Sequence, residues 1–144
     1  EPIKSTYNKF LRNIKNNNLS SKIKTYNLGL SNQTGIFKMQ TNVKFGYNQS
    51  AGYFVSDSGD KEAIFNKADN ILHYKNKNIL IKIDTEGHEK FVLDGMLNLI
   101  QKNNIFLQIE IWNKNYKKVE EFLNNNNFIF QKKIKNDYYF IKKN

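Results

Sequence analysis

Two short apolar runs, NILIKID (78–84) and IFLQIEIW (105–112), flank a stretch in which Phe91, Val92, Met96, Leu97 and Ile100 share one helical face. Apolar runs of this length bounded by polar residues mark buried strands, and the three-and-four spacing between them marks an amphipathic helix. A near-continuous apolar run such as 78–84 predicts a strand covered on both faces of a parallel sheet. The helix is expected over 88–103. A second helix follows over 115–123, with Tyr116, Val119, Phe122 and Leu123 on one face and the run Asn124 to Asn127 as its terminator. Segments 128–134 and 137–143 then close the chain as an antiparallel hairpin about Lys135 and Asn136.

The first half is less regular. Ser5 is placed to cap a helix carrying Tyr7, Phe10, Leu11 and Ile14, which Asn16, Asn17 and Asn18 would end. Strands are expected over 22–30 and 36–43, joined by the turn 31–35. Residues 44–61 mix Gly, Ser and Asn with Phe45, Tyr47, Tyr53 and Phe54, and read as a long aromatic loop or a loop-strand-loop. The order of elements predicts an α/β fold in one domain over residues 1–144, with a mainly parallel sheet and an antiparallel C-terminal edge. In such sheets ligands lie beyond the carboxyl ends of the strands. That directs attention to the residues after Leu30, Ile83 and Ile111, and to whatever precedes the first helix.

Composition narrows the chemistry. The absence of Cys removes a thiol nucleophile and any cysteine-based metal site. The formal net charge of +10 invites an anionic partner, but 22 Lys and 24 Asn stand against a single Arg, the pattern of A/T-rich codons. Arg is the residue suited to bidentate phosphate and guanine contacts, so specific nucleic-acid readout is not expected. The charge is also uneven: +7 over 1–50, −2 over 51–100 and +5 over 101–144. No apolar run approaches the ~20 residues of a membrane-spanning helix.

The chemistry-bearing residues are densest in IKIDTEGHE (81–89), where a strand ends in Asp84, Thr85, Glu86, Gly87, His88 and Glu89. A carboxylate such as Asp84 at a strand tip must face a crevice or be paired. Glu89 reads mainly as a helix-start carboxylate, where negative charge is favoured. With only His73 and His88 present, no histidine-based metal site is expected, and carboxylate binding of Mg²⁺ at Asp84 and Glu86 is the minor alternative to a site without metal. Tyr47, Tyr53, Phe54 and Trp112 would serve either as a stacking platform for a sugar ring or as packing under a long loop.

The block IKIDTEGHEKFVLDGM, followed by a strand ending in IEIW, resembles the signature of FkbM-family methyltransferases, with Glu86, Gly87, Glu89, Leu93 and Gly95 in the matching places. The resemblance extends to the pair Glu1-Pro2 opening the first helix, and to Gly29, Leu30 and Ser31, where Gly replaces the usual Ala. It implies a class I, Rossmann-like fold that uses S-adenosylmethionine to methylate a hydroxyl of a sugar, glycan precursor or secondary metabolite. Glu1 and Pro2, with the backbone at Gly29 and Leu30, would then contact the cofactor. Glu1 would bond the ribose hydroxyls, in competition with a plain helix-entry role.

Methylating an alcohol needs in-line positioning and removal of the hydroxyl proton. Asp84 is the first candidate base and Glu110 the second, with Glu86 holding substrate or the turn. The resemblance also implies a first strand and a Gly-rich turn before residue 1, so the chain reads as a partial domain that would bind the cofactor poorly and be inactive alone. The competing readings are a basic nucleic-acid-binding module and an RNA-methylating enzyme. A cytoplasmic location follows from the implied cofactor and the lack of Cys.

Overall fold

The computed structural model describes residues 1–41 and 52–143. The chain forms two compact units, one of Glu1–Gly29 with Thr34–Asn66 and one of Leu30–Gln33 with Lys67–Asn144.

The first unit opens with α1 (Lys4–Asn16). Ser5 does not cap it: Ile3 is the N-cap residue, and the Glu1 carboxylate accepts the Ile3 backbone N–H at 2.8 Å. The helix therefore starts two residues earlier than a Ser5 cap implies, and no side chain caps its first turn. At the other end Asn18 has φ 55, a left-handed conformation that Asn tolerates.

The strand expected over 22–30 shrinks to β1 (Gly29–Leu30). Side-chain bonds replace the ladder there. Tyr7 and Thr25 share a hydroxyl hydrogen bond of 2.8 Å, and the Asn27 amide donates to the carbonyls of Glu1 and Pro2 at 3.0 and 3.1 Å. β2 (Gly35–Thr41), β3 (Tyr53–Val55) and β4 (Lys61–Asn66) complete a sheet of order β1-β4-β2-β3. The loop-strand-loop reading of 44–61 fits β3, while Phe45 and Tyr47 lie outside the described residues. β4 has no counterpart in the sequence reading, although Ala63 and Phe65 point inward while Ile64 is 61% exposed, a period of two. Ile3, Met39, Ala63 and Phe65 form this unit's core, with Phe37, Tyr53 and Val55 packed on it.

The second unit contains β5 (Asn78–Ile83), α2 (Glu89–Asp94), α3 (Leu97–Gln101), β6 (Asn104–Glu110), α4 (Asn113–Asn125), β7 (Ile129–Ile134) and β8 (Asp137–Lys142). Its sheet runs β5-β6-β8-β7. β5 and β6 are parallel, in register from Asn78 opposite Asn104 to Ile83 opposite Ile109. β6 with β8 and β8 with β7 are antiparallel, the latter pair being the expected hairpin.

The expected mainly parallel sheet is thus corrected: the fold is a mixed α/β arrangement of two sheets, and antiparallel pairs predominate among the described strands. The closing hairpin is one cause in the second sheet: a parallel pair needs a crossover of about a dozen residues, and although α4 provides one between β6 and β7, β8 returns from β7 by a short turn and inserts between them, antiparallel to both. Nor is β5 covered on both faces. Ile79, Ile81 and Ile83 face the core, while Leu80 is 72% exposed.

The single helix expected over 88–103 is broken at Gly95 and Met96 into α2 and α3. Asp69 stabilises the restart, its two carboxylate oxygens accepting the Asn98 and Leu99 backbone N–H groups at 2.9 Å each. Buried Asn103 ties the far end of α3 to the approach of β5, accepting from Lys77 N–H and donating to the carbonyls of Tyr74 and Leu99. The core beneath the sheet includes Leu93, Ile100, Leu107, Ile109, Ile111, Val119 and Leu123, all essentially inaccessible to solvent. No helix among the described residues is long and apolar enough to cross a membrane.

Candidate active site

The turn between β5 and α2 is built around two consecutive left-handed residues, Glu86 with φ 52 and Gly87 with φ 102. Gly87 takes that conformation without steric cost, whereas Glu86 holds it at a cost of roughly 1 kcal/mol that the surroundings must offset. Glu89 supplies much of the offset. Its side chain is fully buried, and its Oε1 accepts the Gly87 N–H at 2.8 Å and the Thr85 hydroxyl at 3.2 Å. From the other side the Asn115 amide of α4 donates to the Gly87 carbonyl at 3.1 Å. Glu89 is therefore a structural anchor of the loop as well as a helix-start carboxylate.

Against the same turn lies the segment 31–32. His88 Nε2 and Ser31 Oγ are 3.0 Å apart, and Ser31 donates to Asn32 Oδ1 at 3.3 Å, which leaves His88 Nε2 as the donor to Ser31. Burial lowers the affinity of the His88 ring for a second proton, and the ring stacks on Phe91 at 4.7 Å. Gly95 lets α2 come this close: a Cβ there would sit 1.9 Å from the Ser31 carbonyl oxygen.

The carboxylates collect at the carboxyl ends of β5 and β6, on the sheet face opposite the core. Register places Asp84 beside Glu110 and pairs Glu110 with Asp137 of β8. Asp84 does not stand alone in a crevice: its Oδ2 accepts from Lys82 Nζ at 2.8 Å, and its side chain remains 40% exposed. The Lys82 ammonium holds the Asp84 carboxyl below its ordinary range, with Glu110 adding a further hydrogen bond. Glu110 is displaced the other way, to about 7, by desolvation first and then by Asp84, Glu86 and Asp137. Gln108 donates to Asp137 at 3.0 Å and so occupies one oxygen of the third carboxylate. Lys82, in turn, is raised by its bond to Asp84.

Of the residues singled out from sequence, the structure brings Asp84, Glu86 and Glu110 together in the second unit. Glu1 and Pro2 lie in the first unit beside 26–28, where the Asn27 amide donates to the carbonyls of Glu1 and Pro2 at 3.0 and 3.1 Å. Glu1 is thus occupied in part by helix entry, with a second carboxylate oxygen in addition to the one that meets Ile3. The missing Cβ of Gly29 makes room for the Phe65 ring, which a Cβ would meet at 2.3 Å, so that glycine is spent on packing. Leu30 packs its side chain on the core of the second unit. Tyr53 packs on the smaller core, whereas Trp112 is 45% exposed immediately after the β6 end. Tyr47 lies outside the described residues. Lys82 and Asp137 escaped the sequence reading, although alternation along NILIKI sets Lys82 on the same face as Asp84. Among the described residues no group of three His, Asp or Glu side chains is placed to hold a metal ion.

Residues 1–130 match a family model described as the methyltransferase FkbM domain. A crystal structure of a methyltransferase FkbM from Methylobacillus flagellatus KT has a similar fold, with a TM-score of 0.59 and 18% identity over 97% of this chain. The chain spans 35% of that protein's length. No curated protein matches.

Proposed function

The chain belongs to the FkbM methyltransferase family, and from that premise we propose that it forms part of an S-adenosylmethionine-dependent O-methyltransferase acting on a hydroxyl of a sugar, glycan precursor or secondary metabolite. The observation that carries the reading is the row of carboxyl groups formed by Asp84 and Glu110 at the carboxyl ends of β5 and β6 and by Asp137 at the adjoining start of antiparallel β8, with one of them displaced to about 7. An alcohol methylated near neutral pH must lose its proton as its oxygen takes the methyl group, and a carboxylate whose proton affinity matches the operating pH is the efficient acceptor. The proposed location is the cytoplasm, where the cofactor is made.

The residues present fit the cofactor at its ribose end. Glu1 keeps a carboxylate oxygen beyond the one that accepts the Ile3 N–H, and an acidic side chain is the group that bonds ribose hydroxyls in dinucleotide folds. Gly29 contributes backbone only, since its open side holds Phe65. When bound, S-adenosylmethionine supplies a methyl group on a sulfonium centre. The chain's own contribution is then positional and electrostatic. Glu86, fixed at φ 52 by the Glu89 and Asn115 bonds to its neighbour, presents its carboxylate at the strand tip for an acceptor hydroxyl. Exposed Trp112 offers a stacking face to a sugar ring next to the same strand end.

The test is transfer of labelled methyl from S-adenosylmethionine by the protein that carries this chain, over a panel of hydroxylated sugars and metabolites with RNA as a comparison. Label in an alkali-stable ether of a small acceptor is the expected result. Label confined to RNA, or to alkali-labile carboxyl esters, would replace this reading with another member of the same reaction class.

A further inference from the structure

The carboxyl row is asymmetric in a way that the family assignment does not explain. Asp84 and Glu110 are equivalent in position, each at the end of one of two parallel strands and each on the open face of the sheet. Among the described residues Asp84 alone of the two has a direct ion pair: Lys82, two residues earlier on β5 and hence on the same face, reaches it at 2.8 Å. Glu110 has no ion pair among the described residues: it adjoins Asp84, Glu86 in the following turn and Asp137 across the β6–β8 ladder, and feels Lys82 only through space while that ammonium is bonded to Asp84. The cations of β7 are engaged elsewhere on that sheet, Lys132 over the Tyr139 ring and Lys133 over the Tyr138 ring, at 5.0 and 4.6 Å.

Taking the methyl-transfer reading as its basis, we propose that Lys82 is a positioning residue which holds Asp84 ionised and thereby makes Glu110 the group that accepts the acceptor's hydroxyl proton. Two neighbouring carboxyls cannot both ionise cheaply, so the one without a direct ion pair binds the shared proton more tightly and, once it has lost that proton above about pH 7, is the stronger base of the two. Asp84 then acts through its neighbour, by repelling charge from Glu110 and receiving its hydrogen bond. In the transfer step the acceptor O–H bond breaks as the O–CH3 bond forms, the proton passes to a Glu110 oxygen, and the electron pair of the broken C–S bond stays on the donor sulfur. The order of the two candidate bases read from sequence is reversed.

The experiment is a carboxyl 13C NMR titration of the 144-residue chain, with the Glu110 signal assigned by its loss in Glu110→Gln. In the unsubstituted chain Glu110 should titrate near 7 and Asp84 below the ordinary range. Lys82→Met, which keeps the stem and removes the charge, should lower the proton affinity of Glu110 about tenfold and raise that of Asp84, while Lys82→Arg restores both. Asp84→Asn should return Glu110 towards an ordinary glutamate. If Lys82→Met leaves both midpoints in place, or if Asp84 rather than Glu110 carries the shared proton in the unsubstituted chain, the proposal is overturned. In the active protein the acidic limb of the kcat profile should move to lower pH in Lys82→Met. A protein without any methyl transfer would instead overturn the functional reading, while the titration still decides where the proton resides.

Discussion

Substituting Gly95 by Ala sets two physical arguments against each other with opposite signs. Gly95 ends α2 with φ −79 and ψ −2, an ordinary right-handed conformation, so backbone propensity alone predicts that Ala would stabilise the protein by up to about 1 kcal/mol. The packing predicts the reverse. A Cβ at this position would lie 1.9 Å from the Ser31 carbonyl oxygen and 2.8 Å from its carbon, both backbone atoms that no rotamer change can move. To restore a normal contact of ~3.5 Å, α2 and segment 31–32 must separate by well over an ångström. That strains the Asp69 N–H bond to the Gly95 carbonyl, 3.0 Å long, and the His88–Ser31 bond of the same length. Overpacking of this kind costs ~1–3 kcal/mol and a lost hydrogen bond ~1 kcal/mol, so after the propensity gain is subtracted the net destabilisation is about 2 kcal/mol. At roughly 3–4 °C per kcal/mol for a chain of this size, Tm should fall by about 7 °C. Urea unfolding followed by circular dichroism gives the free energy directly. A Gly95→Ala protein as stable as its parent, or more so, would refute the close approach as the reason for this glycine.

Other substitutions probe the anchor, the sheet and the pH dependence. Glu89→Ala removes the acceptor of the Gly87 and Thr85 donors and should cost about 3 kcal/mol, whereas Glu89→Gln retains a carbonyl oxygen at that place and should cost less than half as much, as read from urea midpoints. Leu107→Ala, in the core, should cost ~3 kcal/mol, while Leu80→Ser on the open face of the same sheet should change stability by well under 1 kcal/mol; equal losses would contradict a one-sided sheet. Because the folded-state proton affinity of Glu110 is raised, its contribution to stability is fully present below pH 4.5 and is lost as pH rises to about 7. Glu110→Gln should therefore flatten the decline in stability across that window, measured as unfolding free energy at pH 4.5 and pH 8. Asp84 behaves oppositely, its contribution disappearing only as pH falls through its lowered value, so Asp84→Asn should matter at neutral pH and fade in acid.

What the sequence disclosed and what it concealed divide along a physical line. The strand-helix-strand unit, the closing hairpin and the Asp84–Glu89 block were legible because each rests on local periodicity or on residues adjacent in the chain. The errors arose where a distant partner decides the outcome. Residues 22–28 have the composition of a strand, but Thr25 and Asn27 find partners in Tyr7, Glu1 and Pro2, some eighteen residues or more away, and no ladder forms. The 88–103 stripe reads as one helix because Asp69, which receives the new N-terminus at Asn98 and Leu99, carries no local signal of that role.

The strand 78–83 is the instructive case, because the information was present and pointed elsewhere. Three isoleucines at alternate positions, with Asn78, Leu80 and Lys82 between them, mark one inward face and one outward face; the apolar Leu80 disguised the alternation. Reading that period correctly would have set Lys82 beside Asp84 from sequence alone. Of the two readings of a strand-tip carboxylate, facing a crevice or being paired, that period favours the second and names the partner. The difference between the two carboxyls is therefore a consequence of strand periodicity. A lysine one position earlier or later would project to the core face and leave Asp84 and Glu110 to compete for one proton on equal terms.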